Sequence, residues 1–172
     1  MGCGVDVDDS TRYDPLSDVL WRERALLSRL VFKLAIVRIL LAAEGYRWLP
    51  LAADEADGIT EELESLSGHR RGLLGGPEPA TLLDLAGAAP APWDEILHDH
   101  RESLLVLRDQ ARRGASSTTA ALAATRGSVA AEVAELEAQG NGIHGQILRL
   151  ACEHLHEIAR RVAGAVPDDY GR

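Results

Sequence analysis

Leu20, Leu27, Leu34 and Leu41 stand seven residues apart, with Leu30 and Val37 at the second position of the same seam. That spacing presents an unbroken leucine stripe to a partner helix, so the stretch from Leu16 to Trp48 reads as one long helix with coiled-coil character. Between Leu30 and Ala43 only Lys33 and Arg38 are charged. A helix so apolar in its middle has to be covered on more than one side, by other helices or by another chain. Asp14-Pro15 ahead of Ser17 and Asp18 predicts its start, as a turn followed by an N-cap and a favourable first-turn charge. Gly45 predicts its end, through the left-handed conformation that closes helices.

The remaining chain repeats the helical pattern and shows no alternating, strand-like runs. Its 172 residues suit one ordinary domain, and its core is Leu, Ala, Val and Ile, since 46% of residues are hydrophobic but only 4% aromatic. The expected fold class is all-α, a long antiparallel helical hairpin or bundle. Val19–Arg47 carries six basic and two acidic residues, and Trp48–Gly75 carries two basic and six acidic ones. Successive helices of opposite sign suit an antiparallel pair, although exposed ion pairs each add little. A net charge of −9 argues against nucleic acid and against an anionic membrane surface as partners.

Three segments are expected. Residues 1–15, acidic and aperiodic, form a flexible arm. Residues 16–139 form a helical core: the first helix, a second opened by Pro50, a short one from Thr81 to about Ala88, and a long one from Trp93. Gly75-Gly76-Pro77-Glu78-Pro79 and Pro90-Ala91-Pro92 are the breaks between them. Past Arg113 the pattern continues through Leu122, Val129, Val133 and Leu136 on Ala, Ser and Thr, which bury little area, so this half should pack weakly. Residues 140–172 follow the joint Gln139-Gly140-Asn141-Gly142 and form an amphipathic helix from Ile143 to about Ala163, then a tail.

No catalytic arrangement is expected. Glu95…His98 and Glu153…His156 have the Glu-x-x-His spacing of di-iron bundles, yet six His and fourteen Glu make chance occurrences unsurprising. Glu153 and His156 also fall opposite the apolar stripe of their helix. No phosphate loop, nucleophile triad or cofactor motif is present, and neither a metal nor a cofactor is expected. Cys3 and Cys152 form no framework, which suits a reducing cytosol. No stretch is long and apolar enough for a membrane span, and Asp6 spoils the myristoylation pattern after Gly2. A cytoplasmic location is therefore expected. Trp21, Trp48 and Trp93 each stand near a helix start or joint, where they are expected to be core anchors that lock helix ends.

Leu20-Trp21-Arg22-Glu23-Arg24 with Leu26-Leu27, then Phe32-Lys33-Leu34, then Arg47-Trp48-Leu49-Pro50, resembles the actinobacterial branch of the FlgN-type flagellar export chaperones. Ala89-Pro90-Ala91-Pro92-Trp93, Ile96-Leu97 and His100-Arg101 extend the likeness, which runs in order from about Leu16 to Leu136. The resemblance implies a cytosolic helical protein without catalytic activity. Such a protein shields the amphipathic helical end of hook-associated, hook–filament junction proteins and delivers them to the type III export machinery. It also implies that the carboxy-terminal part makes the cargo contact. Two features depart from the family pattern. Ala35-Ile36-Val37 stands where charged residues usually follow Phe-Lys-Leu, which would give the first helix an extra partner surface or let it dimerise. The helix from Ile143 to Ala163 is also unusually distinct and could fold over the groove as a cargo mimic.

The residues alone agree with helix-in-groove recognition by a weakly packed end. Leu122, Val129, Val133 and Leu136, with Ile147, Leu150, Leu155 and Ile158, are the expected cargo surface. On that reading, Val129→Asp with Val133→Asp should abolish cargo binding and spare stability. The competing reading is a structural homodimer that buries the first helix against its symmetry mate, with no role in secretion.

Overall fold

The leucine seam is the core. Leu20, Leu27, Leu30, Leu34, Val37 and Leu41 are all buried, and they sit on a helix, α1, that runs Val7–Ala42. The computed structural model describes residues 7–75, 81–165 and 170. Within these, α1 is followed by α2 (Leu49–Leu73), α3 (Leu82–Ala88), α4 (Trp93–Ala124), α5 (Arg126–Ala138) and α6 (Gly142–Ala165), with a 3-10 turn at Tyr46–Trp48 and no strand. The all-helical expectation holds.

Four of the helices form a bundle. α1 packs on α2 and α4, and α6 packs on the same two, so α1 and α6 occupy opposite corners. Lys33 pairs with Glu55 and Glu23 with Arg70, which fixes α1 and α2 as antiparallel. Ser17 meets His100 and Leu34 meets Thr118, so α4 runs parallel to α1. α6 returns antiparallel to α4, because Arg101 near the start of α4 donates to the carbonyl of Tyr170 beyond the end of α6. The short α3 carries a reciprocal capping box between Thr81 and Asp84 and packs on α4.

Small residues set the approach of α1 to α4. A Cβ added at Gly114 would lie 3.3 Å from Leu34 Cδ1, and Ala111, Ala115 and Thr118 beside it are buried. The first part of the Ala/Ser/Thr stretch is thus a tight seam, contrary to the weak packing expected. The pattern is also not one continuous helix past Arg113. Thr125 ends α4 and α5 resumes at Arg126, with the Thr125 hydroxyl donating to the Ala121 carbonyl, a back-bond that bends helices.

Three further expectations are corrected. α1 starts at Val7, not near Leu16, with Pro15 inside it; the turn reading of Asp14-Pro15 lost to packing, since Tyr13 is buried and stacks on Trp93 at 5.5 Å between ring centroids. Residues 1–6 of the expected arm lie outside the described residues. At the other end, Glu44 and not Gly45 takes the left-handed conformation, at φ 54°. Gly45 N–H donates to the Leu40 carbonyl and Glu44 N–H to Leu41, the Schellman pattern, so Glu44 bears the strain that glycine would avoid. Finally, Trp21 and Trp48 are not core anchors. Both are more than half exposed, and Arg24 and Arg47 lie over their rings. Trp93 alone, half-buried against Tyr13, fits that role.

A polar cluster lies inside the bundle. The Glu23 carboxylate accepts from Arg70 Nε at 3.0 Å, from Ser67 Oγ at 3.1 Å and from the Tyr170 hydroxyl at 3.4 Å. The Arg70 guanidinium sits 4.7 Å from the centre of the Tyr170 ring, and Glu23 and Arg70 are both fully buried. Beside it on the α1–α4 seam, His100 is buried with Nε2 3.2 Å from Ser17 Oγ, Nδ1 3.4 Å from Arg24, and its ring edge-on to Trp21. Burial first, and the Arg24 charge second, hold the His100 pKa below its ordinary value, with Asp99 opposing. The folded state therefore resists protonation that the unfolded chain accepts. Stability is expected to be full above the unfolded His value and to fall as pH drops through it toward the lower folded value. Thermal unfolding from pH 8 to pH 5 measures this, and His100→Gln should flatten that part of the profile.

Candidate functional site on the α5–α6 hairpin

α5 rests chiefly on α6 and touches α4 only around the Thr125 joint, so it is the least supported of the long elements. The turn between the two helices has Gly140 at φ +78°, and Asn141 N–H donates to the Leu136 carbonyl. α5 and α6 come together at Gly145, where an added Cβ would meet Val133 Cγ1 and the Val133 carbonyl, both at 3.3 Å. Glu137 and Arg149 close the same edge at 2.8 Å.

Seven of the eight expected cargo-contact residues fall into three groups, with Leu136 outside them. Leu155 and Ile158 are fully buried on the inner face of α6. Leu122, Val129 and Val133 come together along a groove of about 350 Å³ between the α4–α5 strand of helix and α6, joined by Cys152 and His156. Leu122 and Val133 are themselves buried there, while Val129 and Leu136 are half-buried. Ile147 and Leu150 are exposed, and Ile143 precedes them at 74% exposure. These last three, spaced four and three apart, form a stripe on the flank of α6 away from the groove. A single surface made of all eight is not present: four of them are already covered by the chain itself. Val133, at 2% exposure, is a packing residue, so the expectation that Val129→Asp with Val133→Asp spares stability is withdrawn.

α6 is fastened to the bundle by charge as well as by its apolar face. Arg161 forks to Asp57 at 2.7 Å and Glu64 at 3.0 Å on α2, and His154 lies 3.1 Å from Asp57. Burial beside Glu153 pushes the Cys152 thiol up, away from the reactive thiolate. Cys3 lies outside the described residues. Glu95 and His98 are exposed at the start of α4, remote in the bundle from Glu153 and His156 of α6. Among the described residues no three His, Cys, Asp or Glu side chains are grouped to hold a metal ion, and no helix is long and apolar enough to cross a membrane.

Sequence reasoning missed a second exposed apolar set, Trp21, Phe32 and Ile39 on the outer face of α1, with Val106 of α4 beside it. Its signal was present as a heptad seam offset from the leucine seam, masked by the small residues between the large ones. The chain matches no protein-family model, no curated protein and no solved structure.

Proposed function

We propose that this protein is a helix-binding export chaperone of the FlgN type, which holds hook-associated proteins before their type III export. The observation that carries the reading is the stripe Ile143, Ile147 and Leu150 on the first turns of α6. Positions i, i+4 and i+7 of a helix give an apolar strip that accepts the apolar face of one cargo helix laid alongside. The order of motifs from Leu16 to Leu136 that resembles the FlgN-type chaperones supports the choice of cargo, and the carboxy-terminal position of the stripe agrees with where that family places its contact.

The test uses the exposed residues. Ile147→Asp with Leu150→Asp should leave the melting temperature within a few degrees, because surface substitutions away from packed features change stability by about 0.5 kcal/mol or less. The same pair should weaken capture of a purified hook-associated protein at least tenfold, as read by titration calorimetry or pull-down with that protein. Capture by the wild-type chain that is unaffected by the pair places the contact elsewhere. No binding of any hook-associated protein by the wild-type chain from a flagellated source defeats the reading.

A further inference from the structure

The structure assigns to this bundle a pocket for a tyrosyl residue of a peptide, filled by the chain's own Tyr170. Tyr170 stands five residues beyond the end of α6 at Ala165, yet it is buried, at 2% exposure. It sits against residues of three other helices: Glu23 of α1, Arg70 of α2 and Arg101 of α4.

Each of the three reads a different part of the occupant. The Arg70 guanidinium lies 4.7 Å from the centre of the ring, a cation–π contact that an aliphatic side chain cannot return. Glu23 Oε2 accepts from the hydroxyl at 3.4 Å, which separates tyrosine from phenylalanine. Arg101 Nε donates at 2.8 Å to the main-chain carbonyl of the same residue, which asks for a tyrosyl unit in a peptide rather than a bare phenol. Ring, hydroxyl and carbonyl are held at once.

The walls are framed without their occupant. Glu23 Oε1 accepts from Arg70 Nε and Ser67 Oγ, which ties α1 to α2, while Oε2 is turned to the phenol. Arg24 with Asp99 at 2.8 Å, and Ser17 with His100, tie α1 to α4 next to Arg101. None of these bonds passes through Tyr170, so the pocket is preorganised for the ring. The choice of residues points the same way. Apolar side chains of similar volume would fill this space with little loss of stability. A guanidinium and a carboxylate side by side can in addition recognise a ring face and a hydroxyl. A tyrosyl segment from outside binds here by displacing Tyr170, and its apparent affinity for the intact chain is lowered by the small fraction of molecules in which Tyr170 is out. This inference does not rest on the export reading.

Tyr170→Ala in the full chain removes the occupant and leaves the walls. N-acetyl-tyrosinamide, which carries ring, hydroxyl and carbonyl, should raise the melting temperature of this variant saturably. N-acetyl-phenylalaninamide should bind it about tenfold more weakly, because the hydrogen bond to the carboxylate is lost. The wild type should need about a hundredfold more of the tyrosine probe for the same response, as expected where about 1% of molecules are open. If Tyr170→Ala folds only in the presence of the tyrosine probe, that dependence supports the pocket. If it folds under neither condition, Tyr170→Phe decides: its resident ring lacks the hydroxyl, so the tyrosine probe should bind it about tenfold tighter than wild type. A folded Tyr170→Ala chain with no saturable response, or with equal responses to the two probes, overturns the proposal. Equal binding of the tyrosine probe by wild type and by the deciding variant places the probe elsewhere and overturns it too.

Discussion

Glu23→Ala should lower the free energy of unfolding by about 3–5 kcal/mol, the largest loss expected from any single truncation in this chain. Glu23 and Arg70 are fully buried, and the carboxylate is the acceptor that Arg70, Ser67 and Tyr170 share. Removing it takes the carboxylate away from a fully buried guanidinium, and the cost of that exceeds the worth of the hydrogen bonds lost. The asymmetry gives the control. Replacing both partners by apolar residues of similar volume, Glu23→Leu with Arg70→Met, should recover most of the loss, because a buried ion pair contributes little beyond its own desolvation. Urea unfolding with an unchanged slope would read both values. A Glu23→Ala variant within 1 kcal/mol of wild type would mean that water reaches the cluster and that the pair acts like an exposed one.

The second large effect is local. Val133→Asp places a carboxylate at the tightest point between α5 and α6, against Gly145, in place of a side chain that is 2% exposed. A buried, unpaired carboxylate costs several kcal/mol, but α5 is held mainly by α6 and the chain has a cheaper response: α5 lifts away. The expected loss is therefore capped near the free energy of undocking α5, about 2–3 kcal/mol. Hydrogen exchange should show the difference, with protection lost over residues 126–148 and retained across α1 and α2. Loss of protection throughout the bundle would make α5 part of the cooperative core. The exposed pair Ile147 and Leu150 is the contrast, since acidic residues there should change binding and not protection.

Much of the architecture was legible because leucine periodicity is a statement about burial. The seam from Leu20 to Leu41 named the buried face of α1 residue by residue, and the Gly and Pro breaks closely placed the ends of α2 and α3 and the start of α4. What periodicity cannot show is which charged residue goes inside. Arg22, Glu23 and Arg24 are alike in a sequence, yet only Glu23 is turned into the bundle, and its partner Arg70 is 47 residues away. Trp21 and Trp48 were misplaced for a related reason: a large aromatic ring suggests core, but the heptad phase sets Trp21 outward, one position past Leu20. The start of α1 was missed because a local turn signal at Asp14-Pro15 competes with a contact to Trp93, nearly eighty residues on, that no local rule contains. The candidate site was half legible. Hydrophobic pattern identified the faces of α5 and α6, but it could not separate residues covered within the chain, such as Leu155 and Ile158, from those left open, such as Ile147 and Leu150.

The parallel run of α1 beside α4 has a consequence in time. Ser17 and His100 meet across 83 residues and Leu34 and Thr118 across 84, whereas Lys33 and Glu55, which join α1 to α2, are 22 apart. Loop closure becomes dearer with length, and contacts between distant segments slow folding. The α1–α2 and α5–α6 hairpins can each close early from neighbouring segments, while the α1–α4 seam must wait for both ends of a long chain segment to meet. Docking of α4 onto the finished first hairpin is then the slow step, and the close approach that Gly114 allows lies at the point where that step is decided.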